Sequence, residues 1–291
     1  EPFLCLVGQS VQHLYALGNT GLTTSISDDL GSSGLPDMTP DEKLESVLKR
    51  QTRFAELIHV QSCDSTQDLA AQEPAGGNEM SGDAVFWADH QTQGRGRQQR
   101  YWDDEAGLDL AITLRVTTKL SNPVALPAAL PVAVLQACEP IAGQSLRIKW
   151  PNDVYAHDRK LSGVLIDRDT ARPDTYRIGV GINANRTKFE GALADIGTSL
   201  ALLSGKQQDR HALVLALATR VDAMVAAIEH SDLREHEALF RERLGLLNER
   251  VEVHARETVV GTLTAIDFAN LVLDERITVP LAIVRSLRRA P

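Results

Sequence analysis

Three arginines spaced by glycine and glutamine, Gly94-Arg-Gly-Arg-Gln-Gln-Arg100, stand out in a chain whose formal net charge is −9. Glycine lets backbone approach a ligand closely, and arginine offers a planar fork of donors that fits carboxylate or phosphate. Such a loop holds an anion or closes over one. A second cluster, Lys149-Trp-Pro-Asn-Asp153, leaves an aliphatic stretch and enters a turn, with Lys160 seven residues further on and Leu161-Ser-Gly163 behind it. At a strand end Asn152 and Asp153 can orient phosphates, and Asp153 can hold Mg²⁺, which prefers oxygen ligands. Lys160 can meet a carboxylate or phosphate as a point charge. A third segment, Gly179-Val-Gly-Ile-Asn-Ala-Asn185, puts glycines in a strand, where a flat ligand can lie against the backbone while Asn183 presents an amide.

Each segment also has a plainer reading. Pro, Asn and Asp belong in turns. A GRGR turn can contact RNA, but that role wants several such boxes and a basic surface, and this chain has neither. The Gly179-x-Gly181-x-x-Ala184 spacing imitates a dinucleotide fingerprint. That motif needs a helix immediately after it, which Asn185-Arg-Thr-Lys188 does not open well. Cys63-Asp-Ser-Thr-Gln67 precedes a short helical run, so Ser65 either caps a helix or joins Thr66 in hydrogen-bonding a polar ligand group. Trp87, Trp102 and Trp150 flank these motifs and suit either the core or the walls around a bicyclic ligand.

The elements that position these groups follow from hydrophobic pattern. Strands are expected at 84–89, 109–116, 146–150, 161–168 and 176–182, all rich in aliphatic or β-branched residues. Thr39-Pro-Asp-Glu42 is a capping-box start for a first helix. A second helix starts near Pro127 or Pro131 and runs to Ala142, because proline is tolerated in a first turn. Residues 211–230 form a third, and 231–244 a fourth behind a Ser231/Asp232 cap. From Arg250 onward short alternating strands predict a small all-β module, a barrel of about 45 residues that needs the main domain for support. Three parts are expected: a flexible leader over 1–37, with Met38 as a candidate native start, a catalytic domain over 38–247, and the β module over 248–291.

Composition narrows the class. Hydrophobic residues make up 43% and charged residues 24%, as in soluble domains. Three scattered cysteines without a CxxC pair fit a reducing cytoplasm. No apolar run of about 20 residues is evident, so no membrane span is expected.

These segments, in this order, resemble biotin protein ligase. Asp64-Ser-Thr-Gln67 is similar to the family's DSTN and Gln91 to Arg100 to its Q-x-x-GRGRxGR. Lys149 to Asp167 is similar to KWPND…KxxGxLxE, and Gly179 to Asn183 to GxGxN. The motifs cover residues 58–185, and the β module extends the likeness by pattern. The resemblance implies an α+β fold of the class II synthetase-like, biotin/lipoate ligase type: a mixed sheet flanked by helices, plus a C-terminal β-barrel. It implies that biotin's carboxylate attacks the α-phosphate of ATP to give biotinyl-5′-AMP. A lysine of a biotin carboxyl carrier protein then takes the biotin. On this resemblance Ser65, Thr66, Gln67 and Gln91 bind biotin, and Gly94, Arg95, Gly96 and Arg97 form a loop over it. Lys160 meets biotin's carboxylate and the α-phosphate. Arg95, Arg97, Trp102, Asn152 and Asn183 serve the nucleotide, and Asp153 its Mg²⁺. Lys160, Arg97 and Asp153 are the catalytic set. Gln99 replaces a loop glycine, Asp167 a glutamate and Gln67 an asparagine. The first 50 residues hold three Lys/Arg against seven Asp/Glu, so DNA binding is not expected. The oligomer is a monomer or a homodimer. A lipoate ligase and a non-catalytic biotin sensor are the alternatives.

Overall fold

The computed structural model describes residues 38–72 and 82–291; the expected leader over 1–37 lies outside them, while Met38, the candidate start, is described. Glu42 N donates to Thr39 Oγ1 (3.3 Å) and Thr39 N donates to Glu42 Oε2 (2.7 Å), completing the capping box. Helix α1 (Pro40–Gln51) follows and buries Leu44, Val47 and Leu48. The chain then enters β1 (Glu56–Val60), which sequence pattern misses because every residue in it is half-buried and no alternation shows.

A seven-stranded mixed sheet carries the rest. Its order is β1-β2-β3-β7-β6-β5-β4, from β2 (Ala84–Ala88), β3 (Leu110–Thr117), β4 (Arg147–Lys149), β5 (Asp153–Ala156), β6 (Arg159–Arg168) and β7 (Thr175–Ile182). Only β1–β2 is parallel; the other neighbours are antiparallel. The short α2 (Thr66–Leu69) links β1 to β2, and α3 (Leu126–Ala142) packs against α5 (Arg210–Glu229). Pro131 and Pro140 stand inside α3, beyond the first-turn positions to which the sequence confines proline. Burial of twelve of its residues offsets an interior proline cost of ~3 kcal/mol each.

The stretches Pro123–Ala142 and Arg210–Glu229 are long and apolar enough to cross a bilayer, contrary to expectation. Here they serve the core, with 67% and 44% of their apolar windows buried. The short α4 (Leu200–Ser204) is capped by Ser199, whose side chain accepts from Leu202 N. Helix α6 (Arg234–Leu244) begins without the expected Ser231/Asp232 cap, since Ser231 adopts φ +57° in a tight turn.

The C-terminal strands β8 (Arg250–His254), β9 (Thr258–Ile266), β10 (Asn270–Leu273), β11 (Ile277–Pro280) and β12 (Ser286–Arg289) form an antiparallel sheet, ordered β11-β10-β9-β8-β12. No closed barrel forms: β11 and β12 are its two edges. The sheet is tied to the Lys149–Asp153 turn by Trp150 Nε1, which donates to Val284 O (3.1 Å). Its apolar face continues the main core.

Candidate active site

Strand register builds the floor of the site. Ala111, Gly181, Gly163 and Asp153 pair in one row across β3, β7, β6 and β5, and Thr113, Gly179 and Leu165 form a parallel row two residues away. Side chains two apart share a face, so the glycines clear a flat strip that ends on a carboxylate. Above it lies a cavity of about 600 Å³.

One end of the cavity is polar and uncharged. Ser65 caps α2, its side chain accepting from Gln67 N, so its plain helix-cap reading holds while Ser65 also lines the cavity. Thr66 N and Thr66 Oγ1 both donate to Gln91 Oε1 (2.9 and 3.1 Å), and Thr113 Oγ1 donates to Thr66 Oγ1 (2.9 Å). Gln91 N donates to Asp104 Oδ2 (3.1 Å), which fixes the start of the arginine loop. Gln67 lies over Gly179, where an added Cβ would stand 2.6 Å from its Nε2. That Nε2 donates to Leu165 O and Arg177 O (3.0 and 3.2 Å), while the buried Oε1 has no partner among the described residues. Burial and neighbouring aspartates push the Cys63 thiol up to about 11, so no thiolate nucleophile stands here.

Middle and far end are aromatic and charged. The Trp102 indole lies on Gly181, where a methyl group would overlap it, and reaches Gly163. Lys160 Nζ sits 2.8 Å from Asp153 Oδ1 and 5.5 Å from the Trp102 ring. Asn152 lines the cavity and holds the turn in place by donating from Nδ2 to Val164 O (2.7 Å).

The arginine loop is folded back on itself. Trp102 N donates to Gly94 O (2.9 Å) and Gly96 N to Arg100 O (2.8 Å), with Gln98 in the left-handed region at φ +57°. Gly94 does not line the cavity; a side chain there would strike Trp102 O, so its role is to let the two legs of the loop meet. Arg95 and Gly96 line the cavity, but the Arg95 guanidinium is held at the rim by Asp68 (2.8 Å) and Asp167 (3.5 Å). Arg97 turns inward. Burial lowers its guanidinium below the ordinary value, and the Asp153 charge opposes that shift.

Asn183 does not face the cavity. Fully buried, it donates from Nδ2 to Lys160 O (3.2 Å) and Thr198 O (2.9 Å) and accepts at Oδ1 from Arg186 Nη2 (3.1 Å). Its amide is spent on fixing the backbone of Lys160. The expected set is thus brought together except for Gly94 and Asn183. Sequence reasoning missed Arg285 and Ser286, which reach the cavity from the C-terminal sheet, and Lys149 and Tyr155 beside Asp153. Nothing local marks Arg285; only the docking of two distant segments brings it in.

A model of the Biotin/lipoate A/B protein ligase family matches residues 57–185. The "Bifunctional ligase/repressor BirA" of Bacillus spizizenii is 35% identical over 186 residues, 62% of this chain and 56% of the relative; this chain thus spans about half the length of such relatives. The "Biotin--[acetyl-CoA-carboxylase] ligase" of Mycobacterium tuberculosis is 30% identical over 218 residues, 72% of this chain and 79% of that one. Among solved structures, the biotin protein ligase of Aquifex aeolicus in complex with biotin and ATP superposes with a TM-score of 0.70 at 26% identity. That match covers 81% of this chain and 100% of the other. The motifs, the glycine-floored cavity and these likenesses agree: the chain belongs to the biotin protein ligase family.

Proposed function

We propose that the chain activates biotin with ATP to biotinyl-5′-AMP and transfers the biotin to a lysine of a biotin carboxyl carrier protein or domain. The observation that carries this reading is the gradient along one cavity. It runs from neutral hydrogen-bonding groups at Thr66, Gln67 and Gln91, past the Trp102 indole, to Lys160, Asp153 and Arg97. A ureido ring, an apolar body and a carboxylate present that same order of chemistry.

In the first step a carboxylate oxygen bonds to the α-phosphorus and the α–β bridging bond breaks, releasing pyrophosphate. Two anions must meet, so Lys160 and Arg97 supply the positive charge at the developing phosphorane. Mg²⁺ bound with the triphosphate would supply further neutralising charge there. Asp153 would hold it as a single carboxylate, which suits an ion that keeps phosphate and water ligands; no three-carboxylate cluster exists among the described residues. Asn183, by binding Lys160 O, fixes the strand from which the ammonium projects. In the second step the acceptor amine attacks the acyl carbon, loses its proton and displaces AMP. The folded Gly94–Trp102 segment screens the mixed anhydride from water until then.

On this reading residues 38–247 form the catalytic domain and 248–291 the C-terminal module, working in the cytoplasm as a monomer or homodimer. DNA binding is left out of this reading, since the first 50 residues of the sequence hold three Lys/Arg against seven Asp/Glu. Sequence-specific, salt-sensitive DNA binding by the full chain would overturn that. Pyrophosphate release measured with ATP–Mg²⁺ and either biotin or lipoate tests the main proposal. Release with biotin alone, followed by labelling of an acceptor domain, supports it. Release with lipoate marks a lipoate ligase, and biotin binding without release marks a sensor.

A further inference from the structure

Arg186 is 4% exposed and does not line the cavity, yet its guanidinium joins three segments that build it. Nη1 donates to Asp103 Oδ2 (2.7 Å) and Nη2 to Asp103 O (2.9 Å), so the residue after Trp102 is held by side chain and backbone alike. Nη2 also donates to Asn183 Oδ1 (3.1 Å) at the end of β7. Nε lies 2.9 Å from Asp109 Oδ2, just ahead of β3, as a charge contact rather than an aligned hydrogen bond. Two routes lead from this guanidinium to Lys160. In the first, Asn183 Nδ2 donates to Lys160 O (3.2 Å). In the second, the guanidinium lies 4.8 Å from the centre of the Phe189 ring, and Phe189 packs on Gly197, where an added Cβ would stand 2.4 Å from the ring. Gly197 in turn forms a β-bridge with Lys160. A buried ion pair is on average no more stabilising than apolar side chains of equal volume. What the planar fork supplies instead is fixed direction toward several acceptors at once.

We propose that Arg186 is a positioning residue for adenylate formation. It couples the trailing leg of the arginine loop, at Trp102–Asp103, to the backbone that carries Lys160, so that the indole and the ammonium keep their relative places. The inference rests on the ligase reading for the reaction it serves. Among the described residues Asp103 and Asn183 are joined through Arg186 and by no hydrogen bond of their own. Misplacing a reacting group by about 1 Å can cost about 10²-fold in rate. A residue without ligand contact can therefore set kcat by holding Lys160 where the two anions meet.

The test compares the wild-type chain with Asp103→Ala, Asn183→Ala, the double variant and Arg186→Lys. The Asp103 side chain is 53% exposed and its removal leaves Arg186 beside Asp109, so that variant is expected to fold. Two quantities are read: kcat and KM for biotin and ATP in pyrophosphate release, and hydrogen exchange of the Thr198 amide, which donates to Lys160 O (3.0 Å). Each single variant is expected to lower kcat about tenfold. Both KM values should stay within about twofold, since no group that binds ligand is lost. The double variant should be no slower than the worse single one, because both cut the same link. Arg186→Lys should match Asp103→Ala, as one ammonium cannot replace the fork. Asp103→Ala should also speed exchange at Thr198, which Asp103 does not touch. Losses that multiply in the double variant would mean independent sites and overturn the coupling. Lower urea stability with unchanged kcat would show a merely structural network, and a raised KM with unchanged kcat a role in ligand binding; either overturns the proposal. If the wild-type chain releases no pyrophosphate with biotin, the ligase reading falls. Thr198 exchange then decides the coupling alone: faster in Asp103→Ala upholds it, and unchanged ends it.

Discussion

Asp153 Oδ1 lies 2.8 Å from Lys160 Nζ across the β5–β6 hairpin, both side chains about one-fifth exposed. On the proposed function, the pair is the charged end of a site that receives two further anions. A carboxylate that neutralises the lysine before substrates arrive keeps the ammonium extended along the floor instead of coiled toward solvent. On the proposed function, Asp153 would hold the cation that accompanies a triphosphate, and Lys160 would be left to the reacting oxygens.

Lys160→Ala is therefore expected to lower adenylate formation by about 10²–10³-fold, the loss seen when one preorganised charge stabiliser is removed. Biotin–ATP pyrophosphate release measures it. Near-normal release by this variant would remove Lys160 from the chemistry.

Gly181→Ala tests the floor. Its methyl group would overlap the Trp102 indole, which cannot move down into the sheet and must lift off. Overpacking of this kind costs ~1–3 kcal/mol, so biotin affinity should fall roughly tenfold. Trp102 emission should shift to the red as the ring enters water. Unchanged affinity and emission would show that the indole does not form the ligand's bed.

Asp109 offers a pH test. Burial lifts its carboxyl from 3.8 to about 6, against the pull of Arg186, whose Nε lies 2.9 Å away. Arg186 also reaches Asp103 (2.7 Å) and Asn183 (3.1 Å), tying the segment after Trp102 to the end of β7. Between those two values the folded chain binds more protons than the unfolded one. Stability from this group is thus complete below the unfolded value and is lost as pH rises through the folded one. Compared with Asp109→Asn, the wild-type chain should gain unfolding free energy on going from about pH 7 to about pH 4.5. Urea titrations at both pH values read the difference; a constant gap between the two chains would mean that Asp109 titrates normally.

Much of this site is legible in the sequence because each motif sits on one strand end or one loop. Gly163, Gly179 and Gly181 are conspicuous in strands for the reason that makes them functional: the floor must be bare. Lys160 and Asp153 are paired by a hairpin whose length the sequence displays. What escapes reading depends on tertiary contact. Asn183 has the right chemistry for a ligand, but the Lys160, Thr198 and Arg186 partners that claim it lie on other segments. Arg285 reaches the cavity only because Trp150 anchors Val284. β1 shows no alternation because, as an edge strand, it has no fully buried face. The C-terminal strands read as a barrel since alternation is the same in closed and open sheets; only pairing at the edges tells them apart.

Gln67 separates ligand recognition from scaffold. Its side chain is almost wholly buried, with Nε2 engaged by two carbonyls and Oε1 facing no donor. A buried acceptor left unpaired costs ~1–3 kcal/mol, and a ligand N–H at that point recovers it. Gln67→Leu keeps much of the volume and removes the acceptor, so the free energy recovered on binding is lost. Biotin Kd should rise about tenfold for a loss of ~1.4 kcal/mol, with the KM for ATP unchanged because the nucleotide end is remote. Calorimetry with biotin, beside ATP kinetics at saturating biotin, reads both. Equal losses for biotin and ATP would mean that the variant distorts the sheet, and no loss for either would show that Oε1 is satisfied by water and never by ligand.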